Sequence, residues 1–488
     1  MKKNIIKQMR FQISRMSVSA KASIAYIIVS LVTKGLAFVT LPLFTRLMST
    51  EEIGLVSIYY SWFSICSEVF TLGMLSGGFN VAMSKFGNLR NSYSSSVYTL
   101  ILIITSMASV ALILFKDLFL SISSLPVSLF YLMLVGLVVT PANNIWLIQS
   151  RYEYKYKKVC AVSIVQAGTA TLFSLVAVVI AAKNKSGCLG EVRLYSQNLV
   201  QYSFALFFAF LIIKRGKTFY SKKFWIFSLS LGLPLIVHQI AGEVLSTSDR
   251  IMIGKMINNS SVGIYTTLFS LCTVGSIIWN GINSSLVPFL YENINKEDKR
   301  ESLSYTVLMA LLVYGLFVTL IVLCAPEIVL IMATREYLPY VHLIPFFSVS
   351  VFCTAISNIY SNVIIYYQKS QYIMISTLIA AGVNVVLNYF LIKLLDVYGA
   401  AISTAISSII MVVIQIYITH KIYADNVGMK LPFNERSVYF VFLLMIFISA
   451  ISLVLYKMTA FRYIVVMVLL FELLKHRKRF FPLFVRKI

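Results

Sequence analysis

Along the chain, apolar runs of roughly 20 residues alternate with short polar or basic stretches, from one end to the other. A helix rising about 1.5 Å per residue crosses the hydrocarbon core of a bilayer in such a run. The runs fall at 22–44, 53–75, 97–115, 127–148, 159–182, 194–213, 224–245, 262–290, 303–325, 341–366, 372–392, 399–419, 438–456 and 461–474, about fourteen in all. The last is short, and residues 459 and 460 complete it. Hydrocarbon offers backbone groups no water to bond, so such segments must satisfy themselves as helices. The pattern predicts an all-α polytopic membrane protein.

Composition agrees with the pattern. The 488 residues are 59% hydrophobic and 12% charged, with a mean hydropathy of +0.84, and a soluble domain would carry about twice that charged fraction. The loops reach only about 15 residues, too few for a separate catalytic domain. The chain contains no GxSxG, HExxH or Walker motif and no paired-carboxylate loop. Its four histidines, among them His420 at a helix end, are too dispersed for a metal site. These absences favour a transporter over an enzyme, and no cofactor is expected.

In a soluble protein the net charge of +24 would suggest nucleic acid. Here it marks topology, because basic loops stay on the cytoplasmic side. With the N-terminus inside, roughly 30 of the 42 Lys and Arg lie on the cytoplasmic side and about 11 opposite, with Lys34 inside the first span. An even helix count puts the basic tail inside as well. Arg151, Lys155, Lys157 and Lys158, and the group from Lys214 to Lys223, would rest against anionic lipid headgroups. Tyr152, Tyr154 and Tyr156 interleave with the first group as an interface anchor. The basic segment 1–21 is expected to be retained, since the span after it is too long for a signal-peptide core. Six cysteines are scattered, four of them (Cys66, Cys272, Cys324, Cys353) inside spans, and imply no disulfide or CxxC metal site.

The chain also repeats itself. Residues 46–55 (RLMSTEEIGL) align without gaps on 255–264 (KMINNSSVGI), at an offset of about 209 residues or six spans. Gln166-Ala167-Gly168 likewise echoes Ala380-Ala381-Gly382. An even number of spans between copies inserts both the same way up. The organisation expected is a basic segment (1–21), an N-lobe (22–215), a C-lobe (216–425) and a final helix pair with a basic tail (426–488), with two pseudo-symmetric six-helix lobes.

Two segments carry a family resemblance. One is Ser248-Asp249-Arg250-Ile251-Met252-Ile253-Gly254, followed by Val262-Gly263-Ile264-Tyr265; the other runs from Asn384 to Ile392 and on through Tyr398-Gly399-Ala400-Ala401-Ile402-Ser403-Thr404. With the length, spans and repeat, the chain resembles the Wzx-type flippases of the multidrug/oligosaccharidyl-lipid/polysaccharide exporter superfamily, whose architecture is MATE-like. The resemblance implies a bacterial inner-membrane protein that carries an undecaprenyl-pyrophosphate-linked oligosaccharide, such as an O-antigen unit of lipopolysaccharide, from the cytoplasmic to the periplasmic leaflet by alternating access. It also implies a polysaccharide polymerase and a chain-length regulator as partners. The chain itself is expected to be monomeric.

Such a cargo has a hydrated anionic head and an apolar tail, so a polar, preferably cationic cavity open toward lipid suits it. Ionisable residues inside spans are costly unless paired or wet, and they are the first candidates. Lys34 lies mid-span and would hold a pyrophosphate as a point charge, or pair structurally with a carboxylate. The repeat offset carries Lys34 onto Glu243, so the two would pair in an empty cleft and part when an anionic headgroup competes. Glu68 either titrates during transport or partners Lys34. Asp249 and Arg250, placed beyond span seven at the outer boundary, read as a capping or inter-lobe salt bridge with a gating role.

Uncharged polar residues in the spans bond either sugar hydroxyls or neighbouring helices. They include His238 and Gln239, Asn280 and Asn283, Asn384 and Asn388, and also Asn143, Asn144, Gln166, Asn358 and Asn362. Spacings of three and four put Asn280 with Asn283, and Asn384 with Asn388, on shared helix faces. Pro141, Pro234 and Pro288 interrupt spans, and Pro234 is the preferred hinge. A cation-coupled multidrug antiporter of the same superfamily is the rival; it would want acidic groups in span one, which has Lys34 and no Asp or Glu. A membrane polymerase or glycosyltransferase would need catalytic groups and a sizeable outer loop. Proton, sodium and membrane potential all stay open as the energy source.

Overall fold

In a computed structural model, residues 18–427 and 431–475 are described. The basic segment up to residue 17 and the tail beyond residue 475 lie outside them. The helices are α1 (Val18–Leu47), α2 (Thr50–Phe70), α3 (Phe79–Lys85), α4 (Arg90–Leu114), α5 (Lys116–Ser123), α6 (Val127–Val139), α7 (Pro141–Tyr152), α8 (Tyr156–Lys183) and α9 (Leu189–Gly216). They continue with α10 (Lys222–Met256), α11 (Asn259–Asn293), α12 (Arg300–Leu323), α13 (Ala325–Met332), α14 (Ile344–Tyr366), α15 (Gln371–Val427), α16 (Glu435–Leu455) and α17 (Thr459–Lys475). No strand occurs among the described residues.

Twelve segments among the described residues are long and apolar enough to cross a membrane, against the fourteen expected. Two physical features account for the difference. The runs 372–392 and 399–419 join in one apolar segment of 55 residues, which as a straight helix would reach about 80 Å, more than twice the bilayer core. It is not straight: Asp396 leaves helical geometry at φ 50°, ψ −134°, and a Cβ on Gly399 would fall 2.1 Å from the Leu391 carbonyl oxygen. The final helix, α17, has 17 residues.

Other breaks follow local chemistry. The fourth apolar run divides at Thr140, where Pro141 opens α7 as its first residue and cannot donate back into α6. α2 stops at Phe70; Leu72 (φ 49°) and Gly73 (φ 62°) turn left-handed, and a π-helical turn follows at Met74–Gly78. Gly73 is required there twice over, by its φ and because a Cβ would stand 3.1 Å from the Gly232 carbonyl oxygen and from the Ile236 nitrogen. The broken end of α2 thus lies against the α10 segment that holds Pro234.

The chain forms two compact units: residues 1–48 with 58–240, and residues 49–57 with 241–488. In the first, α9 packs against α4, α6, α7 and α8, and α1 runs along α8. Its core gathers Met74, Phe79, Phe86, Tyr93, Trp146 and Phe208, with the Trp146 and Phe208 rings stacked 4.2 Å apart. Tyr93 reaches Ser228 Oγ at 2.6 Å, and Trp225 Nε1 donates to the Ser96 carbonyl at 3.0 Å, so the start of α10 is pinned to α4. In the second unit α14 is the central helix, enclosed by α11, α12, α15 and α16. Ser350 and Ser408 join α14 to α15 at 2.7 Å. Arg462 of α17 pairs with Glu327 of α13, which also accepts from the Tyr463 hydroxyl at 2.7 Å.

Candidate functional site

A buried carboxylate that accepts three side-chain hydrogen bonds lies in the second unit. Asp249 belongs to the last two turns of α10 and is 4% exposed. This corrects the expectation that Asp249 and Arg250 lie beyond the helix at a membrane boundary: α10 continues to Met256. The charge does not end the helix because side-chain donors replace water around it. Tyr265 of α11 donates its hydroxyl to Asp249 Oδ2 at 2.6 Å, and Thr404 of α15 donates to the same oxygen at 2.7 Å. Asn388 Nδ2 donates to Oδ1 at 2.6 Å. None of the three is a cation, and Asp249 forms no ion pair among the described residues.

A second ring of contacts orients these donors. Asn384 Oδ1 accepts from Asn388 Nδ2 at 2.9 Å and from Ser248 Oγ at 2.8 Å, which fixes both amides. The Tyr265 ring is held edge-on by Phe347 at 4.9 Å. Two atoms stay unmatched, Asn384 Nδ2 and Asn388 Oδ1. The shared face expected for Asn384 and Asn388 is therefore present, and it points at Asp249. Arg250 lies over Phe269, its guanidinium 5.8 Å from the centre of a ring that stacks on Tyr265, and its Nε is buried without a partner. A carboxylate, two hydroxyls and amide oxygens at one buried point are hard donors, suited to a proton or a small hard cation.

The other asparagine pair separates. Asn283 Oδ1 accepts from Asn362 Nδ2 at 3.0 Å, linking α11 to α14, whereas Asn280 is exposed. Glu243 is half-buried on α10. In the first unit, Lys34 is exposed on α1. Glu68 accepts from Ser76 Oγ at 2.8 Å across the break after α2. His238 Nδ1 is buried without a partner, Gln239 is half-buried, and Pro234 is exposed within the unbroken helix α10.

The two copies of the repeat meet in space. Gly54 and Gly263 are counterparts; a Cβ on Gly54 would lie 1.8 Å from the Asn259 carbonyl oxygen, and one on Gly263 would lie 1.9 Å from that of Thr50. Ser57 and Thr266, also counterparts, bond at 2.8 Å, and Thr50 bonds Ser260 at 2.6 Å. The first turns of α2 and α11 therefore cross in backbone contact, as small residues permit in membranes.

Sequence reasoning assigned no role to Tyr265, Thr404 or Ser248, although all three stand in the segments that carry the family resemblance. It also passed over Arg193 and Tyr60.

Residues 19–294 match the model of the polysaccharide biosynthesis protein family, and residues 234–390 match the MatE model. A putative protein 1 of the lsg locus of Haemophilus influenzae is 24% identical over 295 residues, covering 57% of this chain and 67% of that one. The fold resembles the lipid II flippase MurJ in an inward closed conformation, with a TM-score of 0.63, 16% identity, and coverage of 94% of this chain and 99% of that one. It also resembles an inward-facing multidrug resistance MATE family transporter, with a TM-score of 0.58, 14% identity, and coverage of 82% and 98%. The first family model takes in more than half of the residues, and the chain belongs to the polysaccharide biosynthesis protein family.

Proposed function

We propose that this protein is a Wzx-type flippase that moves an undecaprenyl-pyrophosphate-linked oligosaccharide, of O-antigen or related surface polysaccharide, from the cytoplasmic to the periplasmic leaflet of a bacterial inner membrane. The carrying observation is the polysaccharide biosynthesis match over residues 19–294, in a chain whose fold follows a lipid II flippase over 94% of its length. The charge of α1 supports it: an exposed Lys34 and no acid in the apolar run suit an anionic headgroup. Two parallel lobes, read from the sequence as 22–215 and 216–425, with both termini cytoplasmic, are one of the repeat organisations that serve alternating access. Lys34 engages the headgroup, which competes with Glu243 for its charge, and Gln239, His238, Asn280 and Asn283 meet the sugars. Glu68 and Pro234 belong to the moving joint. Asp249, with Asn384 and Asn388, takes up the coupling proton or cation, and Arg250 accompanies it.

A second reading, a cation-coupled multidrug antiporter, draws on the MatE match at 234–390, the region that contains Asp249. Deleting the gene in its host and weighing the lipid extract by mass spectrometry separates the two. Accumulation of a completed polyprenyl-pyrophosphate repeat unit, cleared by re-expression, is the expected result. An unchanged lipid pool with new sensitivity to cationic drugs would establish the antiporter instead.

A further inference from the structure

α9 carries a cation that none of these roles uses. Arg193 stands one turn into the helix, and its guanidinium carbon lies 3.9 Å from the centre of the Phe44 ring at the end of α1. Its Nε is buried and donates to nothing; the Tyr60 hydroxyl on α2 is also buried, with Asn198 beside it and no acceptor for its own proton. The arginine's charge acts on the Tyr60 phenol, and its geometric contact is the Phe44 ring. All three residues belong to the first unit.

No acid answers this charge. Glu191, two residues earlier on α9, accepts from Ser128 Oγ at 2.8 Å and forms no ion pair. Elsewhere in the first unit Lys155 pairs with Glu153. The Phe44 face attracts the cation through its π cloud but offers no lone pair to the N–H groups at the guanidinium rim. Arginine only donates, and buried donors without acceptors are costly, above all in a membrane-spanning segment. Two such donors, one of them on a fixed planar fork, offer part of the donor set of an oxyanion site.

The positive-inside distribution puts this end of α1, α2 and α9 at the periplasmic face. We propose that Arg193 and Tyr60, with Phe44 as the plate behind the guanidinium, bind a phosphate-class oxyanion at the periplasmic end of the first unit. Resting on the flippase reading above, this anion is the pyrophosphate of the headgroup as it arrives in the outer leaflet. Lys34 lies near mid-span, so Arg193 is a later cation on the path and holds the headgroup until release. An anionic phospholipid headgroup offers the same chemistry.

The test uses the full-length protein in nanodiscs of phosphatidylcholine alone or with phosphatidylglycerol, titrated with inorganic pyrophosphate and with geranyl pyrophosphate by calorimetry. Arg193→Lys should weaken binding about tenfold by losing the bidentate fork, and Arg193→Met should weaken it further. Tyr60→Phe should cost about threefold through one lost donor. If Arg193→Met fails to fold, Tyr60→Phe and Arg193→Lys carry the test. Unchanged affinity in well-folded variants overturns the proposal. Pyrophosphate binding that depends on Arg193 in phosphatidylcholine, and is competed away by phosphatidylglycerol, supports the oxyanion site and names phospholipid as a natural occupant. The gene-deletion lipid profile separates the two failures. Arg193-dependent binding with no accumulating lipid leaves the site standing and removes the flippase; accumulation that Arg193→Met clears like wild type, with unchanged pyrophosphate affinity, removes the site alone.

Discussion

Asp249 of the second unit is buried and Arg193 of the first is half-buried, neither is paired by an opposite charge, and the two are met in opposite ways. Arg250 of the second unit, its Nε also unmatched, is met as Arg193 is. In the second unit Asp249 is met by Tyr265, Thr404 and Asn388, three neutral donors at 2.6 to 2.7 Å. In the first unit Arg193 is met by an aromatic face, and its Nε has no acceptor. A carboxylate with its lone pairs filled is stable at rest and changes state only when a proton or cation competes for its oxygens. A guanidinium with spare donors is incomplete until an anion arrives. The difference lies in what each group still lacks: the acid has its donors, and the arginine's Nε has no acceptor.

The strongest test of that contrast is to remove the satisfied charge. Asp249→Leu orphans three buried donors at about 1–3 kcal/mol each, so thermal unfolding in detergent should fall by several degrees at the least. Asp249→Asn keeps the shape and removes the charge. It should leave protein levels near normal while lipid-linked oligosaccharide builds up as in the deletion strain. Stability unchanged by Asp249→Leu would mean that the donors find other partners and that the cluster is not the fixed point described.

The contrast should vanish where the two copies of the repeat touch. Gly54 and Gly263 face each other's helices with almost equal clearance, so Gly54→Ala and Gly263→Ala should cost similar amounts, on the order of 1–3 kcal/mol each. Gly35→Ala and Gly168→Ala, where an added Cβ meets nothing within 4 Å, should change stability by less than about 0.5 kcal/mol. Thermal midpoints of the four variants decide it. Unequal losses at Gly54 and Gly263 would break the local symmetry.

Those glycines mark what the sequence could reveal. The apolar runs and the repeat were legible because bilayer thickness sets one period and duplication the other. The motif around Asp249 was legible as a pattern, yet its place was misjudged: an Asp-Arg pair after an apolar run reads as a helix end at water. The donors that keep Asp249 inside lie 16, 139 and 155 positions away, and no local signal reports them. The break at Asp396 falls between the two apolar runs read at 372–392 and 399–419. Arg193 was counted as a topological charge because an arginine near the start of a span usually snorkels; only the position of Phe44 reveals that it turns inward.

The smallest expected effect concerns an anion of the first unit that, unlike Arg193, already has its partners. Glu153, in the turn between α7 and α8, accepts from Gln149 Nε2 at 2.6 Å and pairs with Lys155. Burial pushes its carboxyl up, but the bonds from Lys155 and Gln149 outweigh it and hold the pKa below the ordinary carboxylate value. A depressed pKa means that the folded state binds its proton less readily than the unfolded chain. The stabilisation is therefore fully present above the unfolded carboxylate pKa and is lost as pH falls through the lower folded value. Lys155 is 44% exposed in its side chain, so solvent screening limits the contribution to about 0.5 kcal/mol. Glu153→Gln should lower the thermal midpoint slightly at pH 7 and not at all in strong acid, whereas Arg193→Met, with no acid partner to lose, should show no such pH dependence. An equal loss at both pH values would assign the role of Glu153 to packing instead of charge.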